Sequence, residues 1–275
     1  MALSIRTNIA SLNAQNNLLK TQSLLDSSMS KLSTGMRITK AGDDAAGLGI
    51  STNLEAQIRS YNQASRNAND GVSLIQTAEG ALNATTNILS RLRELAMQSA
   101  SDGIGDTERA YIQKEVSGLT TELDRNANAA EFNGKALLNT AATSLDFQVG
   151  IRNVTANDRI SVSTIDVTGA TLGVSTLNFS TKAASQAALA TIDTALNSVS
   201  NARAVFGAAG NRFDATIQNI QTFAESLSAA NSRIRDVDVA QETSALSRAQ
   251  ILAQAGISVL GQANQMPQLA LKLLG

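Results

Sequence analysis

The chain has 275 residues, 22 basic and 23 acidic side chains for a net charge of −1, and no Cys, His or Trp. This composition excludes thiolate and imidazole metal sites, a Cys nucleophile and every catalytic triad that uses a His base. One Pro, two Tyr, six Phe and a surplus of Ala, Ser, Thr and Asn, with no basic block, suit neither a nucleic-acid binder nor an ordinary core of branched and aromatic residues.

The chain opens on an amphipathic stretch. Ile5, Leu12 and Leu19 form one seven-residue row, and Leu18, Leu25 and Leu32 form another. The opening has neither the basic n-region nor the apolar h-region of a cleaved secretory signal, and no apolar run is long enough to span a membrane. Asp43 is placed to cap a helix that starts near Asp44, which accounts for this carboxylate pair better than an acid/base or metal site. Gly47-Leu48-Gly49 follows no strand, so close helix packing explains it better than phosphate binding. Beyond it, Leu54, Tyr61, Ala68, Ile75, Leu82, Leu89 and Ala96 recur every seven residues, and Ile58, Ser65 and Val72 extend the same face. The spacing predicts a helix of about 45 residues, roughly 65 Å long at 1.5 Å per residue.

Asp102-Gly103-Ile104-Gly105 is a turn before a shorter helix, capped by Asp106 or Thr107, with Ile112, Val116, Leu119 and Leu123 on one face. Asn133-Gly134 signals a tight hairpin turn. The period then changes to two. Leu145, Phe147 and Val149 alternate with polar residues, as do Ile160 and Val162, and the polar stretch from Val154 to Asp158 joins them into a β-hairpin. Residues 168–183 read as an exposed loop with at most short strands.

A second seven-residue row follows at Val199, Phe206, Phe213, Ile220, Leu227 and Ile234, with Ala202, Ala209, Thr216, Phe223, Ala230 and Val237 three residues on from each. Two long seams far apart in sequence should pack on each other. The fold expected is mainly α: an elongated antiparallel helical bundle or coiled coil formed by the N- and C-terminal segments, with a small β-hairpin region in the middle. At the far end Leu246, Ala253, Leu260 and Leu274 share a row with Pro267, and Ile257, Asn264 and Leu271 lie beside it. Both end segments are apolar around more of their circumference than the middle of the chain can cover, so they should bury themselves in a partner. The residues expected to carry that assembly are Ile5, Leu12, Leu19, Leu260, Leu271 and Leu274. Those expected to form the bundle seam are Leu54, Tyr61, Ile75, Leu82, Leu89, Val199, Phe206, Phe213, Ile220 and Leu227.

Several long motifs, in order, resemble those of bacterial flagellin. They are Ile5-Arg6-Thr7-Asn8-Ile9-Ala10-Ser11-Leu12-Asn13-Ala14, Leu32-Ser33-Thr34-Gly35-Met36-Arg37-Ile38, Asp43-Asp44-Ala45-Ala46-Gly47-Leu48 and Leu92-Arg93-Glu94-Leu95-Ala96. Glu131-Phe132-Asn133-Gly134, Ser232-Arg233-Ile234-Arg235-Asp236-Val237-Asp238 and Ser258-Val259-Leu260-Gly261-Gln262-Ala263-Asn264-Gln265 continue the series, which closes on Leu273-Leu274-Gly275. The resemblance covers about 1–140 and 183–275 and describes a short form with the variable outer domains largely absent.

The resemblance implies a structural subunit, not an enzyme, exported through the flagellar type III apparatus and polymerised outside the cell into the filament used for swimming. It implies an assembly helix at 1–44, disordered in the monomer, and two parts of a helical core domain at 45–140 and 183–234. Between them lies a hairpin and reduced variable region at 141–182, and a C-terminal assembly helix follows at 235–275. Its implied partners are further copies of itself, an export chaperone on the C-terminal helix, and the hook-associated junction and cap proteins, with no cofactor, nucleic acid or membrane. A host Toll-like receptor is a further implied partner, reading Arg91, Leu95 and Glu115; Arg91 and Glu115 fit subunit contacts or a solvated face equally well. Two other readings stay open: a hook–filament junction protein, and a soluble coiled-coil module that holds a partner helix without polymerising.

Overall fold

The computed structural model describes residues 7–140 and 143–274, with the side chains of 266–274 set aside. In chain order the elements are α1 (Ile9–Thr34), α2 (Ala45–Ser99), α3 (Asp106–Ala129), β1 (Glu131–Phe132), β2 (Lys135–Ala136), β3 (Ser144–Gln148), α4 (Thr155–Asp158), β4 (Arg159–Ser163), α5 (Lys182–Arg235) and α6 (Val239–Leu274). The fold is mainly α with two small antiparallel sheets in the middle of the chain. Its residues divide into two compact units, one of Gln57–Glu225 and one of Met1–Ala56 with Ser226–Gly275.

The 57–225 unit holds the hydrophobic core, a continuous cluster running from Ala64 to Ile220. Here α2 and α5 run antiparallel. Gly71 meets Phe213, Arg93 pairs with Asp193 at 2.8 Å, and the hydroxyl of Ser185 donates to that of Ser99 at 2.9 Å. The α5 seam follows the heptad through Val199, Ala202, Phe206, Ala209 and Phe213, all buried. On α2 the expected first row is buried at Ala68, Ile75, Leu82, Leu89 and Ala96. The second row is not the expected Ile58, Ser65 and Val72, which are half-buried. It is Ala64, Gly71, Ala78, Thr85, Leu92 and Ser99, three residues on from the first. Mostly small side chains there let a second helix come close.

The third helix covers only the far half of that seam. Antiparallel to α2, α3 is tied by Arg91–Glu115 at 2.9 Å and by the Asn126 amide donating to the Ala81 carbonyl at 2.8 Å. Ile112, Val116 and Leu123 point into the core. Gly105 is its N-cap, without a side-chain bond, and Asp106 is already inside the first turn, so neither Asp106 nor Thr107 caps it. Where α3 has ended, the β3–β4 hairpin covers the seam instead. Leu145 pairs with Val162 and Phe147 with Ile160, and the Phe147 ring meets Phe213 edge-on at 5.4 Å. The one-turn α4 fills the connection between the strands. Asn133 (φ 50°) and Gly134 (φ 73°) form the two-residue turn between β1 and β2, both in the left-handed region that such a turn requires.

Residues 168–183 depart from the expected exposed loop. They contain no strand, yet Leu172, Val174 and Phe179 are buried, Val174 and Phe179 fully. The Gln113 side chain donates to the Leu177 carbonyl and accepts from the Phe179 amide, and Asp124 accepts from the Gly169 amide at 2.7 Å. These side-chain bonds satisfy a backbone with no ladder of its own. The segment runs beside α3, and that long-range support left no periodic trace in its sequence.

In the second unit α1 and α6 form an antiparallel pair. Asn8 donates to the Ala263 carbonyl at 2.7 Å, Ser11 to the Asn264 side chain at 2.8 Å, and Val237 N–H to the Gly35 carbonyl at 3.0 Å. Asn8 caps α1 by accepting from the Ser11 amide, and Gly35 at φ 71° ends it. The start of α2 is capped differently from expectation. Asp44 accepts from the Gly47 amide at 2.8 Å and is the cap. Asp43 turns back to accept from the Thr39 amide, the Thr39 hydroxyl and the Lys40 amide, because the connector before α2 also has amides to satisfy. Among the described residues no helix is long and apolar enough to cross a membrane.

Candidate assembly surface

The α1–α6 pair uses one narrow stripe of each helix. Along the seam the buried or half-buried positions of α1 include Ser11, Ala14, Leu18, Thr21, Leu25, Ser28 and Leu32; those of α6 include Leu246, Ala249, Ala253, Gly256, Leu260 and Ala263. Both alternate by three and four, the spacing of a coiled-coil seam. The seam is lean. A Cβ on Gly256 would lie 3.3 Å from the Leu18 side chain, so the small residues admit the partner's larger ones. Ile38, Ala249 and Ala263 are the only buried hydrophobic residues among the described residues of this unit.

The rest of its apolar surface faces outward. Ile9, Leu12, Leu19, Leu24 and Met29 are exposed on α1, and Val239, Ile251, Leu252, Ile257 and Val259 on α6, with Leu19 and Ile251 each 69% exposed. Val239, Thr243, Ser247, Ile251 and Leu252 line an open groove along one side of α6. The two leucine rows of α1 thus take separate parts. Leu18, Leu25 and Leu32 belong to the seam, whereas Leu12 and Leu19 stand free of it. Leu260 is half-buried on the seam side of α6. Ile5 lies outside the described residues, as do the side chains of Leu271 and Leu274.

Two connectors brace this unit where α1 gives way to α2 and α5 to α6. Met36 and Asp236 form an antiparallel bridge, the Arg37 amide donates to the Arg235 carbonyl at 2.6 Å, and the Arg37 guanidinium donates to the Ile234 carbonyl at 2.7 Å. Arg235 pairs with Glu55, and the Ser51 hydroxyl donates to Asn231 at 2.7 Å. Nothing in the local sequence signalled this clasp, because its partners are about two hundred residues apart.

The remaining candidates lie in the 57–225 unit. Among the seam residues, Ile75, Leu82, Leu89, Val199, Phe206, Phe213 and Ile220 are buried. Tyr61, in the same unit, is half-buried and meets Phe223 at 5.8 Å. Leu54 and Leu227, which fall in the other unit, are also half-buried. Arg91 is exposed and bonded to Glu94 and Glu115, each at 2.9 Å; those bonds, Glu94 first, hold its guanidinium above the ordinary arginine pKa. Leu95 is 1% exposed. It packs into the core between α2 and its neighbours, so it presents no surface to a receptor, and only Arg91 and Glu115 of that trio are accessible.

The surface is therefore one of unpartnered apolar helix flanks beside a lean internal seam, with no group of three or more carboxylates that could hold a metal among the described residues. What it can do is bury apolar area against other chains, at about 25 cal/mol per Å² removed from water. Comparison with known proteins agrees. Residues 5–143 match the bacterial flagellin N-terminal helical region, and 189–274 match the bacterial flagellin C-terminal helical region. The chain is 44% identical to the flagellin of Bacillus subtilis (strain 168) over 306 aligned residues, covering 99% of this chain and all of that one. It is 41% identical to the flagellar filament 33 kDa core protein of Treponema phagedenis, covering 98% of this chain and 99% of the other. In structure it is similar to the crystal structure of Bacillus cereus flagellin, with a TM-score of 0.51 at 31% identity, covering 60% of this chain and 94% of that one.

Proposed function

From the premise that the chain belongs to the bacterial flagellins, we infer that it is a structural subunit of the extracellular flagellar filament, the polymer that drives swimming, and not an enzyme. One observation carries the mechanism: the 57–225 unit has a closed core, while α1 and α6 pair by a narrow stripe and leave their outer flanks apolar and exposed. A chain that presents different surfaces to its two neighbours makes heterologous contacts, and such contacts that do not close on themselves generate an open helical polymer. On this reading residues 1–44 and 235–275 assemble in the filament centre and the helical core domain surrounds them. Leu12 and Leu19 are subunit contacts, and Ile5, Leu260, Leu271 and Leu274 belong to the same central assembly.

The same exposed α6 flank supports a chaperone site before export, since an amphipathic helix that awaits its polymer can lay its apolar face in a chaperone groove. Hook-associated junction and cap proteins would meet the two ends of the filament through the same helices. Recognition by a host Toll-like receptor would rest on exposed Arg91 and Glu115, without Leu95.

The test is sedimentation and negative-stain imaging of purified chain after addition of short filament seeds, with a chain of residues 45–234 as control. Long filaments are expected from the full chain and none from the control. Full-length chain that stays monomeric on intact seeds, or a control that polymerises equally well, defeats the terminal-helix mechanism.

A further inference from the structure

We propose that Met29 is an oxidation-sensitive contact of the filament, whose sulfoxide blocks addition of the subunit; this rests on the filament reading above. Met29 is 55% exposed. It lies four residues after Leu25 and three before Leu32, both in the seam, so it stands at the edge of the α1–α6 seam, on the side of α1 that carries Leu12 and Leu19. A flexible thioether suits an apolar contact that must fit an irregular partner surface. The same exposure leaves its sulfur open to peroxide until that partner arrives.

The chemistry is a single oxygen transfer. A lone pair of the Met29 sulfur attacks one oxygen of hydrogen peroxide, the S–O bond forms as the O–O bond breaks, and water leaves. Sulfur is oxidised and peroxide reduced. The product carries a strong acceptor where the reduced side chain has none. Burying that oxygen against an apolar neighbour without a donor penalises the assembled state alone, because the free subunit keeps it in water. The expected effect is a rise on the order of tenfold or more in the concentration needed to elongate seeds.

Met97 provides an internal reference. It is 56% exposed but lies on α2 in the 57–225 unit. Full-length chain, Met29→Leu and Met97→Leu are treated with hydrogen peroxide as monomers. Sulfoxides are mapped by peptide mass spectrometry, retained helix is checked by circular dichroism, and each sample is offered to seeds. Each is read against its own untreated sample: wild type and Met97→Leu are expected to lose elongation on treatment, whereas treated Met29→Leu elongates as untreated Met29→Leu does. In finished filaments Met29 is expected to oxidise at least tenfold more slowly than in monomers. Normal elongation by chain carrying Met29 sulfoxide overturns the proposal, as does a loss of elongation by treated relative to untreated Met29→Leu, or equal oxidation rates in monomer and filament. Untreated chain that does not elongate seeds overturns the filament reading, and this proposal with it.

Discussion

Replacing Gly71 by Ala tests whether the close approach of α2 and α5 has the physical origin assigned to it. A Cβ built on Gly71 lies 2.5, 2.7 and 2.9 Å from three carbons of the Phe213 ring, about 1 Å inside the 3.5–4.0 Å at which carbon atoms attract. The ring has nowhere to go: Phe213 is fully buried and is met edge-on by Phe147. Overpacking of this kind costs about 1–3 kcal/mol, against roughly 1 kcal/mol gained from the better helix propensity of Ala. The net expectation is a loss of up to about 2 kcal/mol, which is up to roughly 4–8 °C in Tm for a domain of this size. Gly80 is the matched control, since it lies in the same helix with nothing within 4 Å of its Cβ position. Gly80→Ala should therefore stabilise by up to about 1 kcal/mol. Thermal and urea unfolding followed by far-ultraviolet circular dichroism measure both, and Phe213→Leu in the Gly71→Ala background should recover part of the loss by making room. A Gly71→Ala chain stabilised as much as Gly80→Ala would refute the steric account of the seam.

Burial separates folding from assembly. Leu89→Ala, at a fully buried position, should destabilise the subunit by about 2–5 kcal/mol. Leu19→Ala should change monomer unfolding by less than about 0.5 kcal/mol while raising the concentration needed for seeded growth; equal effects in both assays would contradict the division. Arg109 is 5% exposed and donates to the carbonyls of Ser99, Ser101 and Ile104 where α2 ends. Arg109→Leu should cost roughly 2–3 kcal/mol, because those carbonyls lose a charged donor, and an unchanged denaturant midpoint would show that water replaces it freely. The Thr39 hydroxyl, then the Thr39 and Lys40 amides, hold the Asp43 carboxyl below its ordinary pKa. A pKa lowered on folding gives stability that is present above the unfolded value and lost as the pH falls through the folded one. Asp43→Asn should flatten the pH dependence of unfolding in that acidic window and leave neutral pH dependence unchanged. A side-chain titration by NMR that places Asp43 at the ordinary carboxylate value would contradict this.

Periodicity made the long helices legible in the sequence, because a seam repeating every seven residues leaves its mark wherever large and small side chains alternate. Val199, Phe206 and Phe213 with Ala202 and Ala209 show this on α5, and the two-residue alternation of Leu145 and Phe147 shows it for the hairpin. The second row of α2 was obscured because Ala64, Gly71, Ala78 and Ser99 are too small to register as core. At 168–183, Leu172, Val174 and Phe179 are buried by an irregular path beside α3, which has no period to detect. Leu95 shows a different limit at a candidate site, since the resemblance implied a receptor contact there and the fold buries it.

The sequence by itself determined that this chain is a long-helix protein without imidazole or thiolate chemistry, with apolar rows at both ends that demand a partner, and its motifs carried the flagellin resemblance. Only the tertiary structure decided which leucine row of α1 turns toward α6 and which is left for other chains. The two rows have the same spacing and nearly the same composition, so helical period cannot rank them. What ranks them is the opposite helix: Gly256 leaves space for Leu18, Ala263 and Asn264 lie within hydrogen-bonding reach of Asn8 and Ser11, and Leu12 and Leu19 have no such surface to meet within their own chain.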